Sequence, residues 1–233
     1  MKRSAWVIAF FLCLTADLVA VANGFRFLEE ASKPLLMPLL IGWLIQACRY
    51  ASVRADRWVI SALFLSGAGD VLLLFQQQRS LFFMLGLSAF LLAHVCYIVF
   101  FHRLRLQERI VSSFWLLGPV VLFYAGLMFW LGPHLGDMSV PVRIYGIVIS
   151  YMLLQALHMR ALSTGSDRAA GGWMIAGALL FVLSDSLLAL NKFYRPFPGA
   201  GIAIMLTYGL AQFGIVTGVL KYLSGRRGQL PAG

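Results

Sequence analysis

The stretch FVLSDSLLALNKF, residues 181–193, carries a carboxylate, Asp185, inside a long apolar segment. A second apolar segment holds a similar element, SGAGDVLLL at residues 66–74, with Asp70 at its centre. Even on the mildest insertion scales, an acid in the middle of a membrane-spanning helix costs about 2.5–3.5 kcal/mol. A single buried acid is equally well explained as a hydrogen-bonding group between helices. Two acids in matched settings favour a functional role.

The composition around these two elements defines the class of protein. Of the 233 residues, 61% are hydrophobic and 12% are charged, whereas a soluble domain is about half apolar and a quarter charged. We therefore predict an all-α polytopic membrane protein, a single transmembrane domain over residues 1–224 followed by a short basic tail at 225–233. Eight apolar segments are each long enough to cross about 30 Å of hydrocarbon as a helix, and they cover residues 4–22, 34–51, 57–76, 80–101, 111–131, 140–159, 169–190 and 199–223.

The net charge of +10 is explained by loops rather than by nucleic acid, since basic residues in short loops set topology and meet anionic lipid. With eight spans, about two thirds of the 19 basic residues fall on the side of both termini, which the positive-inside rule places in the cytoplasm. A bacterial-type inner (plasma) membrane is the expected location. The first segment resembles a signal peptide, but Asp17 is unusual in such a core, so we count this segment as a helix.

The two acids also suggest an internal repeat. Asp70 and Asp185 lie four spans apart, in helices that run in the same direction, and GDVLL resembles SDSLL. This arrangement is compatible with a parallel duplication of two four-helix halves.

Two lysines are expected to form a cationic rim above the acids. Lys192 is seven residues beyond Asp185, so α-helical spacing places it on the same face, two turns nearer the outer surface. Lys33 precedes Pro34, and because proline is typical of a first helical turn, we expect Lys33 at the mouth of the second helix. Such a rim would suit a lipid phosphate, although ordinary snorkelling explains each lysine alone equally well.

Other polar residues at helical spacing are predicted to line or support the same cavity. Besides the two lysines, the predicted substrate-binding residues are Ser66, Ser184, Asn191, Tyr208 and Gln212. His94 and Tyr97 lie deeper, so we expect them to act behind the acids without direct contact. The chain lacks HExxH, CxxC, a phosphate-binding glycine loop and a GxSxG elbow, and its cysteines fall in separate apolar segments. We therefore expect neither a metal nor an organic cofactor.

Four stretches carry a resemblance to a known family. SGAGDVLLLF, GLSAFLLAHVCYIVFF, GALLFVLSDSLLALNKF and MLTYGLAQFGIVTG, in this order and together with Lys33-Pro34, resemble the YhhN-like lysoplasmalogenases. The resemblance implies an eight-helix membrane hydrolase that cleaves the vinyl ether bond of lysoplasmalogens. It implies a fatty aldehyde and glycerophosphoethanolamine or glycerophosphocholine as products, and Asp70 and Asp185 as the catalytic pair.

The implied chemistry suits two buried acids. A vinyl ether resists base but yields to acid: protonation of the outer alkene carbon gives an oxocarbenium ion, water adds, and the hemiacetal collapses to an aldehyde. One carboxylic acid must therefore stay protonated near neutral pH, which burial and a like-charged neighbour both favour. The partner carboxylate can stabilise the cation and accept a proton from water. We expect the two acids to face each other across one cavity and to share a proton.

Proton-coupled transport of a small lipid-like or anionic solute is the alternative, because buried acids and repeats also occur in transporters. A structural lipid-binding protein is a third class. A hydrolase predicts a closed pocket that contains both acids, whereas a transporter predicts a path to both faces. The bilayer and a lysophospholipid are the expected partners of the hydrolase; the sequence leaves the head group and the oligomeric state open.

Overall fold

Eight long helices make up almost all of the computed structural model, which describes residues 3–162 and 165–225. Eight helical spans in this described part are long and apolar enough to cross a membrane, the fifth of them running over Phe114–His134 together with its flanking 3₁₀ turns, which confirms the predicted all-α multi-pass membrane fold. The side assigned to the termini stays a prediction. Lys2 and the tail beyond Gly225 lie outside the described residues. The helices are α1 (Arg3–Asn23), α2 (Arg26–Tyr50), α3 (Arg57–Leu74), α4 (Ser80–Gln107), α5 (Leu117–Leu131), α6 (Ser139–Leu157), α7 (Gly165–Ala189) and α8 (Ala200–Gly225).

The second helix begins earlier than hydropathy predicts. Gly24 has φ +70° and the Phe25 N–H donates to Ala20 O at 2.9 Å, so α1 ends in a glycine cap and α2 starts at Arg26. Leu, Glu and Ala favour helix regardless of hydropathy, and they extend α2 beyond the apolar segment. Pro34 therefore lies inside α2 rather than at its first turn, which corrects the expected position of Lys33.

The closest helix pair is α7 with α8. A Cβ on Gly177 would lie 2.7 Å from Ala211 O, and a Cβ on Gly214 would lie 3.1 Å from Gly177 Cα. Glycines at these points let the two backbones touch, as small residues do at membrane helix interfaces. This contact fixes the position of α7 relative to α8. The two helices together supply about half of the candidate site.

The remaining helices surround this pair unevenly. α8 also packs against α1 and α2, and α4 packs against α3 and α6. α5 is peripheral and packs mainly against α6, and most of its side chains face outward. The bundle therefore has a packed centre and one loosely attached helix.

Candidate active site

A cavity of about 200 Å³ lies at the end of the bundle where α3 and α7 end and α8 begins. Both predicted acids, Asp70 and Asp185, are on its wall. Four predicted substrate-binding residues also line it, namely Lys33, Ser184, Asn191 and Tyr208. Sequence reasoning did not single out the remaining wall residues, which are Val21, Glu29, Leu73, Gln76, Phe90, Leu188, Gly201, Ile204 and Met205.

Asp70 is held by a tyrosine from the opposite half of the chain. The side chain of Asp70 is buried, with 2% of its residue surface exposed, one turn before the end of α3. The Tyr208 hydroxyl donates to Asp70 Oδ2 at 2.7 Å. A buried carboxylate needs such partners, because an unpaired one is costly. Lys33 lies within electrostatic range of Asp70 on the same wall.

A buried chain of hydrogen bonds supports Asp70 from behind. The Tyr97 hydroxyl donates to Gln212 Oε1 at 2.5 Å, and Gln212 Nε2 donates to Ser66 Oγ at 3.0 Å. Ser66 and Gln212 share the helix faces of Asp70 and Tyr208 but lie one turn deeper, and the hydrogen bond between them links α3 to α8. The structure therefore places Ser66 and Gln212 behind the cavity rather than on its wall, with Tyr97 behind them as expected.

Asp185 is held by Tyr145 of α6. The Tyr145 hydroxyl donates to Asp185 Oδ2 at 2.5 Å, and the Asp185 side chain is 14% exposed. Tyr145 was not predicted as a site residue. The signal that could have found it is its position within an apolar helix, since a buried tyrosine hydroxyl usually has a hydrogen-bond partner.

His94 lies beside Asp185, which corrects the expectation that it would not contact the acids. Nε2 of His94 is 3.7 Å from Asp185 Oδ2, and Nδ1 is 2.7 Å from Phe90 O. Because a carbonyl oxygen only accepts, Nδ1 carries the proton, and Nε2 of the neutral ring is an acceptor. His94 of α4 and Asp185 of α7 therefore lie at a similar depth in the bundle.

The two lysines have different surroundings. Lys33 lies on the wall and its Nζ is 3.6 Å from Glu29 Oε1, one turn away on α2. Lys192 lies off the wall, exposed, with its Nζ 4.7 Å from the centre of the Phe83 ring. Residues Leu190–Tyr194 form a π-helical turn, whose wider spacing rotates Lys192 away from the face of Asp185. Of the two lysines expected to form the cationic rim, Lys33 lies on the cavity wall and Lys192 does not.

Asp17 is a third buried acid and lies off the wall of this cavity. The Ser32 hydroxyl donates to Asp17 Oδ1 at 3.0 Å, while Oδ2 makes no hydrogen bond to the described residues. Lys33 is within electrostatic range of Asp17 as well. Asp17 therefore belongs to the packing of α1 against α2 around Lys33.

An aromatic cluster closes the cavity toward the middle of the bundle. The ring of Phe181 lies 4.6 Å from that of His94, 5.6 Å from Tyr208 and 6.4 Å from Tyr97. All four side chains are buried. Beneath the two acids the bundle is therefore packed with aromatic rings.

The fold and this cavity define a polytopic helical membrane protein with a two-acid site near one end of its bundle. The chain belongs to the YhhN family, whose family model matches residues 28–219; the resemblance noted in the sequence is thereby confirmed.

Several curated relatives carry the name lysoplasmalogenase. That of Mycobacterium bovis (strain ATCC BAA-935 / AF2122/97) is 32% identical over 201 residues, covering 84% of this chain and 72% of the relative. Human lysoplasmalogenase TMEM86B is 36% identical over 162 residues, or 69% of this chain and 62% of the relative. Human lysoplasmalogenase TMEM86A is 33% identical over 187 residues, or 76% and 72%. No solved structure matches the chain.

Proposed function

We propose that this protein is a lysoplasmalogenase, which hydrolyses the vinyl ether bond of a lysoplasmalogen by acid–base catalysis with Asp70 and Asp185. The observation that carries the proposal is the presence of both acids on the wall of one cavity, since each comes from a different half of the chain. The names of the relatives support the same reaction. A vinyl ether needs a proton donor and a base, and two carboxyl groups supply both.

The neighbours of the two acids favour different roles. Lys33 is within electrostatic range of Asp70, and a nearby cation favours the ionised carboxylate. Among the described side chains, no lysine or arginine is within electrostatic range of Asp185, whose neighbour at 3.7 Å is the acceptor nitrogen of His94. We therefore assign Asp185 as the acid and Asp70 as the carboxylate.

These roles give a balanced reaction. Asp185 gives its proton to the outer alkene carbon, and the Asp70 carboxylate stabilises the oxocarbenium ion that results. Water attacks this cation and loses a proton to Asp70, which yields the hemiacetal. Asp70 then protonates the departing glycerol oxygen while the hemiacetal hydroxyl returns a proton to Asp185. Both acids end in their starting forms, and one water molecule has been consumed.

The two tyrosines that donate to the acids fit this assignment, and so does the Lys33–Glu29 ion pair on α2. Tyr208 and Tyr145 each donate to Oδ2 of an acid, which leaves Oδ1 for the substrate or water. Lys33 suits the lipid phosphate, as an ammonium group is a compact cation with three donors. Glu29, which the sequence analysis did not single out, suits the ammonium of a choline or ethanolamine head group.

The closed floor of the cavity favours hydrolysis over transport. A transporter needs a path from the acids to the opposite face, and Phe181, His94 and Tyr97 fill that route with buried rings. A hydrolase needs only one opening, through which both lipid and water arrive.

Isotope labelling tests the proposed reaction. The purified protein is incubated with a choline lysoplasmalogen in H₂¹⁸O, beside the ester-linked lysophosphatidylcholine as the matched substrate. We expect a fatty aldehyde from the vinyl ether alone, and glycerophosphocholine without ¹⁸O, because water attacks the alkenyl carbon. Aldehyde accompanied by ¹⁸O in glycerophosphocholine contradicts the mechanism, and no aldehyde contradicts the function.

A further inference from the structure

A large apolar groove lies beside α5. It measures about 790 Å³ and lies between one face of α5, with Leu122, Gly126 and Trp130, and the segment 194–198, with Tyr194 and Phe197. This groove, named here the α5 groove, is within the range of about 300–1,000 Å³ that ligand sites occupy. α5 and α7 run in the same direction, so the groove lies at the same end of the bundle as the two acids.

Two side chains connect the α5 groove to Asp185. Phe123 and Leu127 line the groove, and they also line a small inner cavity of about 30 Å³ whose wall includes Tyr145 and Asp185. A second apolar groove, between α2 and α3, measures about 470 Å³ and shares no wall residue with either the acid cavity or the inner cavity, whereas the α5 groove shares Phe123 and Leu127 with the inner cavity. The α5 groove is thus the apolar space that adjoins the reacting end of the site.

We propose that the α5 groove binds the hydrocarbon chain of the lysolipid substrate, an inference that rests on the proposed function. The bond to be cut joins a polar glycerol phosphate to one long chain, and the acid cavity of about 200 Å³ is small for a ligand site. A chain attached to a bond at Asp185 reaches the groove by passing Phe123 and Leu127. The weak packing of α5 allows these two side chains to move aside.

The groove offers a substitution that fills it without disturbing the packing. A Cβ added at Gly126 would meet no atom within 4 Å, so Gly126→Trp places its indole in the groove itself. Gly118, on the same helix, is equally free of neighbours and lies off the groove wall, which makes Gly118→Trp a matched control.

The test compares kcat/KM of each variant with that of the unsubstituted protein on two choline lysoplasmalogens, one with a hexadecenyl and one with a butenyl chain. At each chain length, the kcat/KM of a variant is divided by that of the unsubstituted protein. Partitioning of the substrate into detergent affects both values equally and therefore cancels. We expect Gly126→Trp to lose about tenfold or more on the hexadecenyl substrate, since each methylene excluded from an apolar site weakens binding by about fourfold. On the butenyl substrate it should stay within about twofold of the unsubstituted protein, as should Gly118→Trp on both substrates.

Equal activity of Gly126→Trp and Gly118→Trp on the hexadecenyl substrate would overturn the groove proposal while the lysoplasmalogenase function stands. Crosslinking supplies a readout that does not need turnover. A lysophosphatidylcholine with a diazirine at the end of its chain should label peptides from residues 117–131 and 190–198 after irradiation, and Gly126→Trp should reduce that labelling. Labelling confined to other helices also overturns the groove proposal, even if the unsubstituted protein releases no aldehyde and the proposed function fails.

Discussion

Asp70 and Asp185 are surrounded by corresponding helices in the two halves of the chain. Asp70 on α3 is approached from α8 by Tyr208 and from α2 by Lys33. Asp185 on α7 is approached from α4 by His94 and from α6 by Tyr145. If the first half is α1–α4 and the second half is α5–α8, then α2 corresponds to α6 and α8 corresponds to α4. The structure contains both of the corresponding contacts, α2 with α8 and α6 with α4. The parallel repeat that the sequence suggests stays a prediction, and this arrangement of helices is compatible with it.

The side chains that the neighbouring helices place beside the two acids differ. In the first half, Lys33 supplies a positive charge near Asp70. In the second half, the corresponding helix supplies the neutral hydroxyl of Tyr145. The two acids thus share one cavity, with a lysine within electrostatic range of Asp70 and a neutral hydroxyl beside Asp185.

The largest effect is expected from the acids themselves. Asp70→Asn and Asp185→Asn keep shape and hydrogen-bonding capacity but cannot exchange a proton, so each should lower kcat about a thousandfold. Asp17→Asn is the matched control: this acid is also buried, lies off the cavity wall, and should retain turnover within about threefold. Aldehyde release, measured with thermal stability for each variant, checks this. Near-normal turnover in a folded Asp70→Asn or Asp185→Asn variant would make that acid structural.

A smaller loss is expected from the tyrosines. Tyr208→Phe removes a hydrogen bond to the Asp70 carboxylate, and a bond to a charged group contributes about 1.5–3 kcal/mol, whereas Tyr145→Phe removes one to the protonated Asp185, and a neutral bond contributes about 0.5–1.5 kcal/mol. We expect kcat to fall about tenfold to a hundredfold for Tyr208→Phe and about twofold to tenfold for Tyr145→Phe. Tyr124→Phe, whose hydroxyl donates to Arg143 O at 3.4 Å away from the cavity, should change kcat little. If all three variants behave alike, the tyrosines do not position the acids.

The smallest loss is expected from the lysines, and it should be unequal. Lys33→Met removes a cation from the cavity wall, so KM should rise about tenfold, more than kcat falls. Lys192→Met should leave KM within about twofold, because the structure places this lysine over Phe83 instead of over the acids. Steady-state kinetics on a lysoplasmalogen distinguish the two. A larger rise in KM for Lys192→Met would place the phosphate outside the cavity described here.

The sequence predicted the features of the protein that depend on a residue pattern. Eight apolar segments predicted eight helices, and matched settings singled out Asp70 and Asp185. It failed where local geometry departs from a regular helix: the π-helical turn at Leu190–Tyr194 moved Lys192, and the early start of α2 moved Lys33. It also missed Tyr145 and Glu29, because nothing local marks a residue whose role depends on which helices become neighbours.

The central claim is that the two acids act together on one bond, and a double-mutant cycle tests it most directly. Turnover of a lysoplasmalogen is measured for the unsubstituted protein, Asp70→Asn, Asp185→Asn and the double variant. Groups that act as a unit give strongly non-additive losses, so the double variant should fall within about threefold of the worse single variant. Losses that multiply across the cycle would contradict the account, because they would show two acids that act independently.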